Sequence, residues 1–348
     1  MKAFGFLSFG HYQIGHERSM LKQALELAKE ADAIGVNGAY FRVHHFAPQG
    51  ASPMPLLGAI IGATKHIEVG TGVIDMRYEN PLYLAEEAAA LNLLADGRLA
   101  LGVSRGSPEP AEKGWEAFGY DGGDGDPKAA GMAREKFQRF LDAIDGHGMA
   151  VASENQYPRL YHPGTPLPVF PHDPDLRKSI WWGAGSHSTA EQAARDGVNL
   201  MSSTLVAEAT GQSFGDLQAD QIAFYRQAWK EAEHDWTPRI SVSRSIFPIV
   251  TDRDRELFGL QGHGGDQVGI LDDTRSTFGR SYAGSPDELI DQLKEDRAVM
   301  EADTLMLTVP NQMGVEINTS ILKNFAEHVA PALEWQPNTE GLVTGYDF

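Results

Sequence analysis

The sequence predicts an α/β fold, a (β/α)8 TIM barrel with long βα loops and insertions. Two observations carry that expectation: eight short apolar runs recur along the chain, and helix-like stretches lie between and after them. The chain opens on a strand and closes on a helix, as a barrel requires. A doubly wound parallel sheet is the alternative arrangement of the same units. With 348 residues the chain can bury a large core, and one barrel domain over residues 1–348 is the expected organisation.

The strand-like runs are Lys2–Phe9, Ala39–Val43, Ile67–Ile74, Leu99–Ser104, Ile180–Ala184, Val198–Ser202, Ile240–Val250 and Thr304–Val309. The first is apolar from Ala3 to Phe9. In the second, alternation sends Phe41 and Val43 outward toward a helical layer and leaves Arg42 and His44 on the lumen side. The third contains Gly70 and Gly72, and glycine inside a strand marks a bulge or a flat ligand against the backbone. In the fourth, Leu99, Leu101 and Val103 face one way and the small Ala100 and Gly102 the other, as in a buried parallel strand. The fifth breaks into GAGSHS and becomes a helix through a capping-box pattern from Ser188 to Glu191.

The helix-like stretches are Ser19–Ile34, Pro53–Ala63, Pro81–Leu94, Arg134–Ile144, Thr189–Arg195, Asp216–Glu233, Pro286–Met300 and Ile317–Leu333. Ser285, Pro286 and Glu288 give the seventh a sound N-terminus. Three long segments, 106–131, 147–179 and 251–281, exceed a minimal barrel. The first and third are glycine-rich and follow strands, which suggests lids over the face where barrels build active sites.

The formal charge is −19, from 29 Lys and Arg against 48 Asp and Glu, which opposes binding to nucleic acid or anionic membranes. Without cysteine, thiolate nucleophiles, iron–sulfur clusters and Cys-ligated zinc are excluded. The N-terminus reads as a strand and not a signal peptide, and no run approaches the roughly 18 apolar residues of a membrane span. A cytoplasmic protein is expected.

Adjacent His44 and His45 point to opposite faces, so they do not form a metal pair, and no metal site is expected; His44 is the candidate active-site histidine. GAGSHS half-matches a dinucleotide fingerprint, but Ser188 replaces the third glycine and the next strand ends in Met201, Ser202 and Ser203 with no acid for a ribose. The helix start after Ser186 has no acid before Glu191, so its free N–H groups suit an anion. The start at Ser285 carries Asp287 and Glu288 and reads only as a cap. One helix dipole supplies roughly half a charge, whereas a phosphate monoester carries nearly two, so an arginine is needed. Arg105, at the end of the neighbouring fourth strand, supplies it.

In order and spacing, FGFLSF, HHF at His44 to Phe46, IEVGTGVI, NPLYLAEEAAALNLLADGRLALGVSRG, GSHSTAEQAARDG and YAGSPDELIDQL resemble the bacterial luciferase-like family of flavin-dependent monooxygenases. The resemblance implies a (β/α)8 barrel, commonly a homodimer, that binds reduced FMN. It implies that the phosphate is held by Arg105, Gly106 and Ser107 and by Gly185, Ser186, His187 and Thr189. The flavin ring would lie against Gly72 and Val73, over a cis peptide between them, and His44 would be the base or proton donor.

Luciferases proper carry an acid before the histidine pair. This chain has Val43 there, which argues against light emission and an aldehyde substrate. The activity implied is a two-component monooxygenase: a separate flavin reductase supplies reduced FMN, O2 adds to form a peroxyflavin, and a small-molecule substrate is oxidised. An oxidoreductase using the deazaflavin F420 and a non-catalytic flavin-binding barrel are the alternatives.

Overall fold

The computed structural model describes residues 1–123, 125–271, 274–343 and 345–347, so parts of the two glycine-rich segments lie outside the described residues. The eight expected strands form in the expected order: β1 (Ala3–Ser8), β2 (Gly38–Phe41), β3 (Glu68–Asp75), β4 (Leu99–Ser104), β5 (Ile180–Ala184), β6 (Asn199–Ser202), β7 (Ile240–Pro248) and β8 (Thr304–Val309). Each pairs in parallel with the next. β8 pairs with β1 from Ala3↔Thr304 to Ser8↔Val309. The ring closes, which a doubly wound sheet never does.

The helices between the strands are α1 (Glu17–Ile34), α2 (Pro53–Ala63), α3 (Pro81–Leu94), α4 (Ala130–Ile144), α5 (His187–Arg195), α6 (Phe214–Glu231), α7 (Pro286–Glu295) and α8 (Gly314–His328). Side-chain alternation separates two apolar layers. Leu7, Tyr40, Ala100, Trp181, Met201 and Met306 fill the lumen. Phe6, Val69, Leu99, Leu101 and Val103 join Leu57, Ile60, Phe137 and Leu289 between strands and helices. Below the lumen core, Glu68 receives two hydrogen bonds of 2.7 Å from Arg239 and one of 2.8 Å from the Tyr40 hydroxyl.

Three expectations are corrected. α5 begins at His187, two residues earlier than expected, and its capping box joins Ser186 to Thr189 instead of Ser188 to Glu191. The Thr189 hydroxyl is near enough to accept from the Ser186 N–H (3.2 Å) while Ser186 Oγ accepts from the Thr189 N–H. The helix expected over 286–300 breaks at Asp296, whose backbone is extended and whose carboxylate is held by Arg244 and the Tyr282 hydroxyl; a short helix, Arg297–Glu301, follows. The third long segment, for which no strand was expected, carries a hairpin: Gln267–Leu271 and Thr274–Phe278 pair antiparallel, and the latter pairs with Leu205–Val206.

Candidate active site

At the C-terminal ends of the strands a cavity of about 530 Å³ opens, within the range of small-molecule and cofactor sites. Its wall brings together His44 after β2, Gly72 and Val73 on β3, Arg105, Gly106 and Ser107 after β4, and Gly185, Ser186 and Thr189 at the β5–α5 junction. Eight of the nine expected cofactor residues and the expected histidine thus share one space. The exception is His187, whose Nδ1 lies 3.2 Å from Glu208 and whose ring packs on Phe224 at 4.7 Å. Only its backbone remains at the helix start.

The local geometry of β3 has identifiable causes. Its pairing with β4 shifts between Thr71 and Ile74, so Gly72 and Val73 leave the ladder, and the peptide between them is cis. A Cβ at Gly183 would stand 3.1 Å from Val73 Cγ1, so this glycine on β5 makes room for the displaced segment, whereas one at Gly102 on β4 would fall 2.2 Å from the Thr71 carbonyl oxygen before it met Val73 Cγ1 at 3.0 Å. Gly70 has the same kind of cause as Gly102: its Cβ would fall 1.9 Å from the Ala100 carbonyl oxygen. Strand packing alone requires that glycine. At Gly72 the nearest atom is the flexible end of Leu7, at 2.8 Å.

Arg105 is exposed and pairs with no carboxylate among the described residues. Beneath it, Arg77 makes a close ion pair with Asp75 (2.6 Å) and donates to the Ser107 carbonyl at 2.8 Å. Gly106, at φ +94°, is wedged against this pair. Arg105 lines the same cavity as Ser186, Ser188 and Thr189 at the start of α5.

The histidine pair divides as strand alternation predicts, although β2 itself ends at Phe41. His44 is buried, with Nδ1 2.9 Å from Glu109 Oε2 and Nε2 3.3 Å from the Ser107 hydroxyl. A carboxylate partner only accepts, so the proton on Nδ1 points to Glu109 and Nε2 is the atom left to the cavity. His45 turns away and stacks on Tyr78 at 4.1 Å with Phe118 against its edge; burial pushes its pKa down.

Glu109, Asp75 and Arg77 were not singled out by the sequence. Glu109 sits in an aperiodic segment, and no spacing rule connects it with a histidine 65 residues away. The Asp75-Met76-Arg77 run at a strand end was a readable signal for an ion pair, though not for its role under Gly106.

The profile of the luciferase-like monooxygenase family matches residues 1–258. The chain is 23% identical over 252 residues to the oxygenase component of the flavin-dependent trigonelline monooxygenase of Acinetobacter baylyi, covering 69% of this chain and 63% of that protein. The chain spans about half to two thirds of the length of the curated relatives it matches. Among solved structures, the oxygenating constituent of 3,6-diketocamphane monooxygenase from Pseudomonas putida, in complex with FMN, superposes with a TM-score of 0.67 at 16% identity, covering 95% of this chain and 99% of that one. The coenzyme F420-dependent tetrahydromethanopterin reductase of Methanopyrus kandleri superposes with a TM-score of 0.62 at 14% identity, again covering 95% and 99%. With the profile matched over more than half its length, the chain belongs to the luciferase-like monooxygenase family.

Proposed function

We propose that the protein is the oxygenase of a two-component flavin monooxygenase, taking reduced FMN from a separate reductase and using O2 to oxidise a small organic substrate. The observation that carries this reading is a cavity lined by two chemically different groups: an exposed arginine together with a helix start, and a histidine held by a carboxylate. Bound reduced FMN supplies the electrons and the activation of O2.

The chain's residues supply the rest. Arg105, with the hydroxyls of Ser186 and Thr189 and the N–H groups of His187 and Ser188 that the capping box leaves open, would hold the phosphate; charge-assisted contacts of this kind are the strong ones. Gly72 and Val73 form the surface against which a flat ring lies. Leu7, Phe9, Trp182, Met201 and Leu205 line the space with apolar surface, which keeps bulk water from the reacting atoms. Glu109 fixes the His44 ring so that Nε2 exchanges a proton with the substrate or the cofactor.

The names of the Acinetobacter and Pseudomonas proteins, an oxygenase component and an oxygenating constituent, support an external reductase. Tyr83 and Leu94, both well exposed on α3, support a homodimer. Among the described residues no helix is long and apolar enough to cross a membrane, in keeping with a cytoplasmic enzyme.

Titration of the protein with FMN, reduced FMN and F420, followed by oxygen consumption, tests the reading. Tight binding of reduced FMN with flavin-dependent O2 uptake is expected. Preference for F420 with hydride transfer and no O2 uptake would replace it, and flavin binding without reactivity toward O2 would leave a binding barrel.

A further inference from the structure

Two guanidinium groups line the cavity without a carboxylate partner among the described residues, Arg105 after β4 and Arg42 after β2. FMN brings one phosphate, and Arg105 with the start of α5 accounts for it. Arg42 is left over. We propose that Arg42 binds a carboxylate on the substrate, so that the compound oxidised beside His44 is an organic acid; this rests on the oxygenase reading above.

The side chain is held in place and its charge is not neutralised. The Arg42 backbone N–H donates to the Ser8 carbonyl at 2.9 Å, which fixes the main chain, and the guanidinium lies over the Phe9 ring at 4.8 Å, which positions the side chain. It makes no hydrogen bond or ion pair with any described residue. Burial pushes its pKa down, and the nearest offset is the Glu109 carboxylate, which is occupied by His44 at 2.9 Å. Other arginines at comparable depth are engaged: Arg77 with Asp75, Arg98 with the Ile61 and Ile67 carbonyls, Arg239 with Glu68 and Arg244 with Asp296. A desolvated cation without a partner is costly, and a planar guanidinium fork matches a carboxylate with two parallel hydrogen bonds.

The surroundings point the same way. A second cavity of about 460 Å³ lies between the β1–α1 loop and the start of α8, and its walls include His11, Tyr12, Gln13, Asn311 and Gln312 but no Asp, Glu, Lys or Arg. Arg42 acts electrostatically on His11, which lines this space, so its positive charge reaches the neutral cavity as well. In a chain of net charge −19, whose overall field repels anions, an acidic substrate needs such a fixed cation.

The test uses the FMN-loaded protein and matched acid and amide probes, benzoate against benzamide and hexanoate against hexanamide, read by the flavin absorbance and by calorimetry. Wild type should bind at least one acid about tenfold or more tighter than its amide, and Arg42→Met should remove that preference while leaving amide binding and FMN affinity unchanged. Arg42→Lys, which keeps the charge and loses the fork, should fall between them and guards against a folding defect in Arg42→Met. Equal binding of acids and amides by wild type would overturn the proposal. So would an Arg42→Met protein that lost affinity for reduced FMN itself, because the guanidinium would then face the flavin. Failure of wild type to bind FMN at all would sink the oxygenase reading first, and this one with it.

Discussion

At Gly106 a Cβ would fall 2.0 Å from Asp75 Oδ2 and 2.5 Å from Arg77 Nη2, and φ is +94°, so only glycine passes over the Asp75–Arg77 pair. That passage sets where Arg105 leaves the strand. Arg105→Ala should therefore weaken FMN binding by at least tenfold and riboflavin binding little, because only FMN carries the phosphate; equal losses in a two-ligand titration would remove the phosphate role. His44 and His45 differ in their partners. His44→Ala should retain flavin yet lose about 10²-fold or more in substrate oxidation, with oxygen diverted to hydrogen peroxide. His45→Ala should act through stability, since it removes a ring stacked on Tyr78. Coupled turnover that survived in His44→Ala and failed in a stable His45→Ala would transfer the role to His45. Gly72 and Gly70 looked alike in sequence, yet only Gly72 faces the cavity; the Ala100 carbonyl that dictates Gly70 belongs to another strand and leaves no trace in the local pattern.

Among the elements, the strands were legible because period-two alternation and terminal glycines and serines are local signals. Breaks caused by distant partners were not. Asp296 interrupts an amphipathic run that reads as one helix, because Arg244 on β7 and Tyr282 bind its carboxylate. The support beneath the phosphate end has the same character. Glu79, just past β3, is desolvated and faces Glu87, which raises its pKa to about 7. Lys136 on α4 donates to the Arg77 carbonyl at 2.7 Å, and burial lowers its pKa to about 8. The folded state holds the Glu79 proton more tightly than the unfolded state, so this group's stabilisation is full below about pH 4.5 and is lost as pH rises through about 7. Lys136 does the reverse: the unfolded chain binds its proton more tightly between about pH 8 and 10.5, so stability recovers across that range. Denaturant unfolding should accordingly pass through a minimum near pH 7–8, with an acid limb on the order of a few kcal/mol, since each tenfold change in proton affinity is worth roughly 1.4 kcal/mol. Glu79→Gln should flatten the acid limb alone; a limb unchanged in that variant would assign it to other carboxyls.

Across the whole molecule the two ends of the barrel are built for different purposes. The upper end leaves Arg42 and Arg105 unpaired around a cavity, while the lower end pairs Glu68 with Arg239. Barrel closure could be read from the count and order of strands, but the pairing of Glu68 with Arg239 spans 171 residues and could not. Glu68 and Arg239 are 2% and 8% exposed, and they join the first residue of β3 to the residue before β7 across the lumen, with Arg239 also over the Trp181 ring at 4.6 Å. Desolvation opposes the charge on Arg239, and Glu68 more than compensates, raising its pKa. Breaking one side of such a pair leaves a buried charge without its counterion, which costs about 3–5 kcal/mol. Glu68→Gln should therefore lower unfolding stability by that amount in urea titrations, with FMN affinity of the folded protein unchanged because the cavity lies at the other end. Replacing the whole group, as Glu68→Met with Arg239→Met and Tyr40→Phe, removes charge and partner together and should recover most of the loss, since apolar substitution of a buried pair is often neutral. A Glu68→Gln protein within about 1 kcal/mol of wild type would mean that Trp181 and the nearby Asp303 carboxylate suffice to hold the guanidinium, and that the lower end is stabilised by packing instead of by this pair.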